Sequence, residues 1–206
     1  GYRSKYNALL EGDDYWTRAD KLEVLVGELE KDDQASIAFH NYSEVDKENK
    51  VLKYFRDKHQ ENVSGNSLRK GSSVHVCRMV YRTFDCKPFT HDLMNFYTTG
   101  DKLLSHYLGR IGYSKSIENL GVSAAYRLHN SGTYSSTDYE TKRNDTIRRH
   151  YDLYKILLRD SYYVDGHSVG CVFEKYVFDL MCNQKKIPSD LYIKLAHFYI
   201  KEKKII

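Results

Sequence analysis

The stretch Cys77–Gly100 places the tightest limits on how this chain folds. Cys77, Val80, Tyr81 and Phe84 recur at i, i+3, i+4 and i+7, the spacing of one helix face. Arg78, Arg82 and Asp85 fall on the opposite side, where water solvates them. Cys86-Lys87-Pro88 breaks that pattern, because proline disfavours helical geometry in the residue before it. Phe89, Leu93, Phe96 and Tyr97 then resume the apolar spacing as far as Gly100. The stretch therefore predicts two helices meeting at a sharp corner, each carrying a half-buried cysteine.

The flanking segments extend the helical reading. Leu22, Val24, Leu25, Val26 and Leu29 predict a helix over Lys21–Lys31, with Trp16 just ahead of it as a core anchor. Ile37–Tyr42 is a short apolar piece, and Ser43 is placed to cap a helix from Glu44 through His59. Val63–Ser73, with two glycines and four serines, reads as a loop. Leu103, Leu104, Tyr107, Leu108 and Ile111 predict a further helix, and Ser116–Leu128 a short one. Asn130–Ser136 is polar and marks a boundary between subdomains 1–130 and 131–206. Thr137 and Glu140 have capping-box spacing and open a helix to Arg159. Asp165-Gly166 reads as a turn, Val172–Cys182 as helix, and Pro188-Ser189 as the start of a last one. With no alternating strand pattern evident, the expected fold class is all-α, about 8 to 10 helices in one domain or two fused subdomains.

Composition narrows the function classes. The 206 residues include 19 tyrosines and only two prolines, which excludes a disordered chain. A net charge of +4 is well short of a dedicated nucleic-acid binder. No apolar run reaches the roughly 18 residues needed to cross a membrane. Three glycosylation sequons, at Asn41, Asn62 and Asn144, lean towards a secretory route. Cys77 and Cys86 are nine residues apart, and Cys171 and Cys182 eleven. On intact helices those spacings are roughly 13 and 16 Å, too long for either pair to close on itself. Cross-pairing between the two segments is the more natural disulfide arrangement, although the Pro88 corner leaves other pairings of Cys86 open. Four reduced core cysteines are the plain alternative.

Catalytic motifs are absent: there is no phosphate-cradling glycine loop, no G-x-S-x-G elbow and no H-E-x-x-H pair. His75, Cys77, Cys86 and His91 contain metal-ligating atoms, but their spacing lacks the tight Cys-x(2–4)-Cys knuckle, so no metal and no cofactor is expected. Lys142, Arg143, Arg148, Arg149 and Arg159 make the long helix basic, which reads first as a solvated face.

Cys77-x-x-Val80-Tyr81, followed by His91, Phe96 and Gly100, resembles the late-helix region of the long, two-domain salivary proteins of blood-feeding flies, members of the insect odorant-binding superfamily. Phe39-His40-Asn41-Tyr42, with Lys50-Val51 and Tyr54, is similar to the preceding helix in that family. Cys171 and Cys182 resemble its closing cysteine pair at a longer spacing. The early cysteines of the family pattern are missing, as is its tryptophan pair, leaving only Trp16. The resemblance implies a secreted, non-enzymatic helical protein that sequesters a small hydrophobic or amphipathic ligand: a biogenic amine, an eicosanoid or another lipid. Tyr81, Phe84, Phe96, Tyr107, Tyr151, Tyr154 and Tyr176 are the aromatics expected to line the pocket, with Arg149 or Lys175 meeting an acidic headgroup. The alternatives are a helical interaction factor of viral or parasite type that binds a host protein and, less supported, a nucleic-acid-binding module using the basic helix.

Overall fold

The structure is a computed structural model that describes residues 4–55, 61–95, 100–128, 137–183 and 187–202. The chain divides into two compact units, one formed by residues 1–89 and 101–136, the other by residues 90–100 and 137–206.

The first unit is built on strands. In chain order its elements are β1 (Tyr6–Asn7), β2 (Tyr15–Trp16), α1 (Lys21–Glu30), β3 (Ala35–Phe39), β4 (Asn41–Val45), β5 (Val51–Phe55), α2 (Gly65–Arg69), a 3-10 turn over Val76–Arg78, and β6 (Met79–Arg82). The helix α3 (Cys86–Asn95) spans the division between the units. Then come α4 (Gly100–Leu108), β7 (Tyr113–Ser116) and β8 (Val122–Arg127). One sheet has the order β1-β6-β3-β7 and the other β2-β8-β4-β5. Two parallel pairings, β3 with β7 and β4 with β8, run through both sheets, and the other strands join antiparallel. His40 sits where β3 passes into β4, its backbone N–H donating to the Arg78 carbonyl at 3.3 Å.

This mixed α/β architecture overturns the all-α expectation, and burial explains why. Every residue of β3, Ala-Ser-Ile-Ala-Phe, is buried. Leu25 and Leu29 of α1 cluster with Ala35, Ala38 and Val80. Leu68 of α2 and Leu104 and Leu108 of α4 cluster with Ile37, Phe39, Met79 and Tyr81. A strand covered on both faces loses the polar–apolar alternation that announces a strand. In β4 the alternation is present but inverted in character, since two of its three buried positions are Asn41 and Ser43.

The reading of Cys77–Phe84 as a helix fails for the same reason. Val80 and Tyr81 belong to different core clusters, as neighbours on a strand must, rather than to one helix face. Pro88 is no corner: it lies in the first turn of α3, where its missing N–H is harmless. The helix expected over Glu44–His59 is instead β4 and β5 up to Phe55, with positions 56–60 outside the described residues. Ser116–Leu128 is mainly β8, and Val63–Ser73 contains α2, capped by Ser64. The boundary at Asn130–Ser136 lies outside the described residues.

The second unit holds α5 (Tyr139–Arg159), α6 (Tyr163–Cys182) and α7 (Ser189–Glu202). Their core joins Ile147, Tyr151, Tyr154 and Leu157 to Val169, Phe173, Val177 and Leu180, and to Leu191, Leu195 and Phe198. The α5 N-cap is Asp138, one residue past the expected Thr137, and its carboxylate accepts the Thr141 N–H at 2.9 Å. Asp165-Gly166 is not a turn but part of α6, the glycine lying against Leu157 and Leu158. Buried Asp92 forms a two-pronged pair with Arg159, at 2.6 and 2.9 Å. Among the described residues no helix is long and apolar enough to cross a membrane.

The expected disulfides are not formed: none of Cys77, Cys86, Cys171 and Cys182 is bonded to another cysteine. Cys77 is turned into the core of the first unit, whereas the other three are exposed. Cys171 and Cys182 share the continuous helix α6, too far apart along it to meet. Two of the three sequon asparagines, Asn41 and Asn144, have buried side chains.

Candidate metal centre

The pairing of β2 with β8, Tyr15 opposite Ala125, holds Asp14 at the edge of the second sheet. Its Oδ1 accepts the backbone N–H of Arg127 at 3.0 Å. Its Oδ2 is buried and without a hydrogen-bond partner. His75 caps the 3-10 turn, and Cys77 lies within that turn. The His75 Nδ1 accepts the Cys77 N–H at 3.4 Å and lies 3.1 Å from the Cys77 Sγ. An Nδ1 that accepts carries its lone pair there, so the proton of the neutral ring is inferred to be on Nε2. One ligand atom each from Asp14, His75 and Cys77 lies within 4.8 Å of the others.

The aromatic wall fixes the imidazole. Tyr42 stacks on it with centroids 5.6 Å apart, and Tyr126 meets it edge-on at 4.6 Å. Two donors fix the turn that carries the thiol: the Lys21 Nζ donates to the Cys77 carbonyl at 2.6 Å and the Trp16 Nε1 to the same oxygen at 3.1 Å. Lys21 is fully buried, its ammonium 4.2 Å above the Trp16 ring. Burial pulls its pKa down to about 8.

Protonation separates two chemistries for this cluster. Burial, and then the charge of Asp14, push the Cys77 thiol up to about 12. Such a thiol is protonated at neutral pH and is no nucleophile by itself, although its contact with His75 resembles a catalytic pair. A cation alters that balance, because metal coordination deprotonates a thiol outright. Burial chiefly, with the charges of Asp13 and Glu11, also raises the Asp14 carboxyl to about 6. Burial lowers the pKa of His75, keeping it neutral and able to ligate. Thiolate and carboxylate together supply two negative charges, matching a divalent ion. Thiolate and imidazole favour zinc and its neighbours over magnesium or calcium.

Of the cysteines and histidines weighed from the sequence, His75 and Cys77 come together here and the other two do not. The Cys86 thiol donates to the Phe84 carbonyl at 3.4 Å, and His91 belongs to the second unit beside Asp92. Asp14, distant in sequence, carried no signal that would have linked it to them. The expected pocket residues lie elsewhere. Tyr81 is buried in the first unit, where Phe84 and Tyr107 stack at 5.9 Å with Phe89 edge-on. In the second unit, Tyr151 and Tyr154 are core residues beside Phe173 and Phe198. Tyr176 is partly exposed against His150, Arg149 is buried with its guanidinium on Thr146, and Lys175 is exposed. Phe96 lies outside the described residues.

Set against protein-family models and curated proteins, the chain returns no match. Its own geometry carries the functional reading.

Proposed function

We propose that the first unit is a metal-binding domain that holds a thiophilic divalent cation, zinc by preference, through Asp14, His75 and Cys77. One observation carries this reading: Asp14, whose carboxylate groups with the thiol and the imidazole, keeps its Oδ2 buried and unpartnered. An orphaned carboxylate oxygen in a protein interior is costly, and an ion at this point would satisfy it. The second oxygen, held by the Arg127 N–H, and the Cys77 carbonyl, held by Lys21 and Trp16, are the outer contacts that orient ligands in metal sites. Three protein ligands leave one tetrahedral position for water or an exchangeable group, the arrangement of a site that works on a ligand rather than one that only braces a fold.

This reading is preferred to a carrier of small amphipathic ligands because the aromatics assigned to that pocket, where described, largely fill cores. Cobalt(II) titration of the chelator-treated, reduced chain tests it, with zinc competition to follow. The expected result is one equivalent bound, a near-ultraviolet thiolate-to-cobalt band, and displacement by zinc. Asp14→Asn and Cys77→Ser each weaken binding by more than about 100-fold. A wild-type chain with no thiolate band, or a Cys77→Ser chain of unchanged affinity, refutes the reading.

A further inference from the structure

The second unit carries a different cysteine in a different setting. His167 and Cys171 stand four residues apart on α6, on one face of the helix, and both are exposed. The Cys171 Sγ lies 3.7 Å from the His167 Nε2. The opposite ring nitrogen, Nδ1, lies 2.8 Å from the Glu202 Oε2 of α7. The other oxygen of that carboxylate accepts the Tyr154 hydroxyl at 2.7 Å, which ties it to α5. Burial tends to raise the Glu202 pKa, but the hydrogen bonds from His167 and Tyr154 outweigh it and hold the group ionised. Burial and the Glu202 bond raise the Tyr154 pKa, so this hydroxyl remains a donor. Thiol, imidazole and carboxylate thus follow one another in the order of a nucleophile, its base and the group that orients the base.

We propose that Cys171 is an activated thiol that exchanges with small-molecule disulfides, His167 acting as its base. The backbone selects this reaction class. Cys171 lies inside α6, where backbone N–H groups are engaged in the helix, so no pair of amides is offered to a developing oxyanion. Acyl transfer needs such a cradle. Disulfide exchange does not, because the departing sulfur carries the charge itself. In the step, the Cys171 proton passes to the His167 Nε2 and the thiolate attacks one sulfur of the disulfide. A Cys171–sulfur bond forms as the original sulfur–sulfur bond breaks. The leaving thiolate takes the proton from His167. Cys171 is oxidised to a mixed disulfide, and the other half of the reagent is reduced to a thiol. The inference is independent of the metal centre, which lies in the other unit.

Cys182 provides the control within the same molecule: it is exposed on the same helix, but Phe178 occupies the position four residues before it. The reduced full chain is treated with limiting iodoacetamide at neutral pH, and in parallel with oxidised glutathione, and each cysteine is followed by peptide mass spectrometry. Cys171 is expected to react about tenfold faster than Cys182 and to form the glutathione adduct first. His167→Ala, a change at an exposed position, should bring Cys171 down to the rate of Cys182 while leaving Cys182 unchanged. Equal rates in the wild-type chain, or a fast Cys171 indifferent to His167→Ala, overturn the proposal. Fast alkylation without any glutathione adduct overturns the assignment to disulfide exchange.

Discussion

Acid should destabilise the first unit through His40, and the size of the effect follows from its surroundings. The ring is fully buried between β3 and β4. Its Nδ1 lies 2.6 Å from the Asn41 carbonyl, so that nitrogen carries the hydrogen, and the buried Nε2 has no partner. Burial first, and the charges of Lys21, Arg78 and Arg18 after it, push its pKa down to about 3 from 6.5, against the opposing Asn41 hydrogen bond. The depressed pKa sets the sign. Below the unfolded value the unfolded chain takes up a proton that the folded chain refuses, so stability present at neutral pH is lost between about pH 6.5 and 3. The slope approaches 1.4 kcal/mol per pH unit, which amounts to about 3 kcal/mol between pH 7 and 4. Urea unfolding of the wild-type chain and His40→Gln at several pH values isolates the effect, because the remaining titrating groups cancel in the difference. The stability gap between the two chains should shrink by about 3 kcal/mol towards acid pH and then reverse or level off. A gap independent of pH would refute the burial of a neutral imidazole at this position.

Three further outcomes follow from other contacts. Gly65→Ala should destabilise the first unit by roughly 2 kcal/mol in urea unfolding, because a Cβ there would lie 2.7 and 2.8 Å from the backbone oxygens of Gly112 and Gly109. Arg159→Ala leaves buried Asp92 without its two-pronged partner and should lower stability by about 2 kcal/mol, moderated by the partial exposure of the arginine. A double-mutant cycle with Asp92→Asn should recover part of that loss. Asp138→Ala removes the cap of α5 and should cost about 1 kcal/mol, more than Thr137→Ala, reversing the order expected from the capping-box spacing.

Helices with a single buried stripe were legible in the chain. Lys21–Lys31 contains α1 almost residue for residue, and α4, α5 and α7 run where periodicity, the Thr137/Glu140 spacing and Pro188-Ser189 place them, α5 being capped one residue later, at Asp138. Their signal is local, since one face meets the core and the other meets water. The sheets were not legible. β3 is covered on both faces, β4 buries polar side chains, and β6 puts Val80 and Tyr81 into separate clusters, so none shows an apolar alternation. The Cys171–His167 spacing stood in the sequence at i and i+4, but only the packing of α7 supplies the carboxylate that orients the imidazole.

The sequence by itself determined where amphipathic helices form and that residues such as His75 and Cys77 carry metal-ligating atoms two positions apart. Tertiary structure alone decided that Asp14 joins them and that Lys21 lies buried beside them. It also decided that Cys77 is a core thiol while Cys171 faces solvent. The physical reason is that helical periodicity is written in neighbouring residues, whereas strand pairing, burial and the company of a titratable group are set by segments far away in the chain.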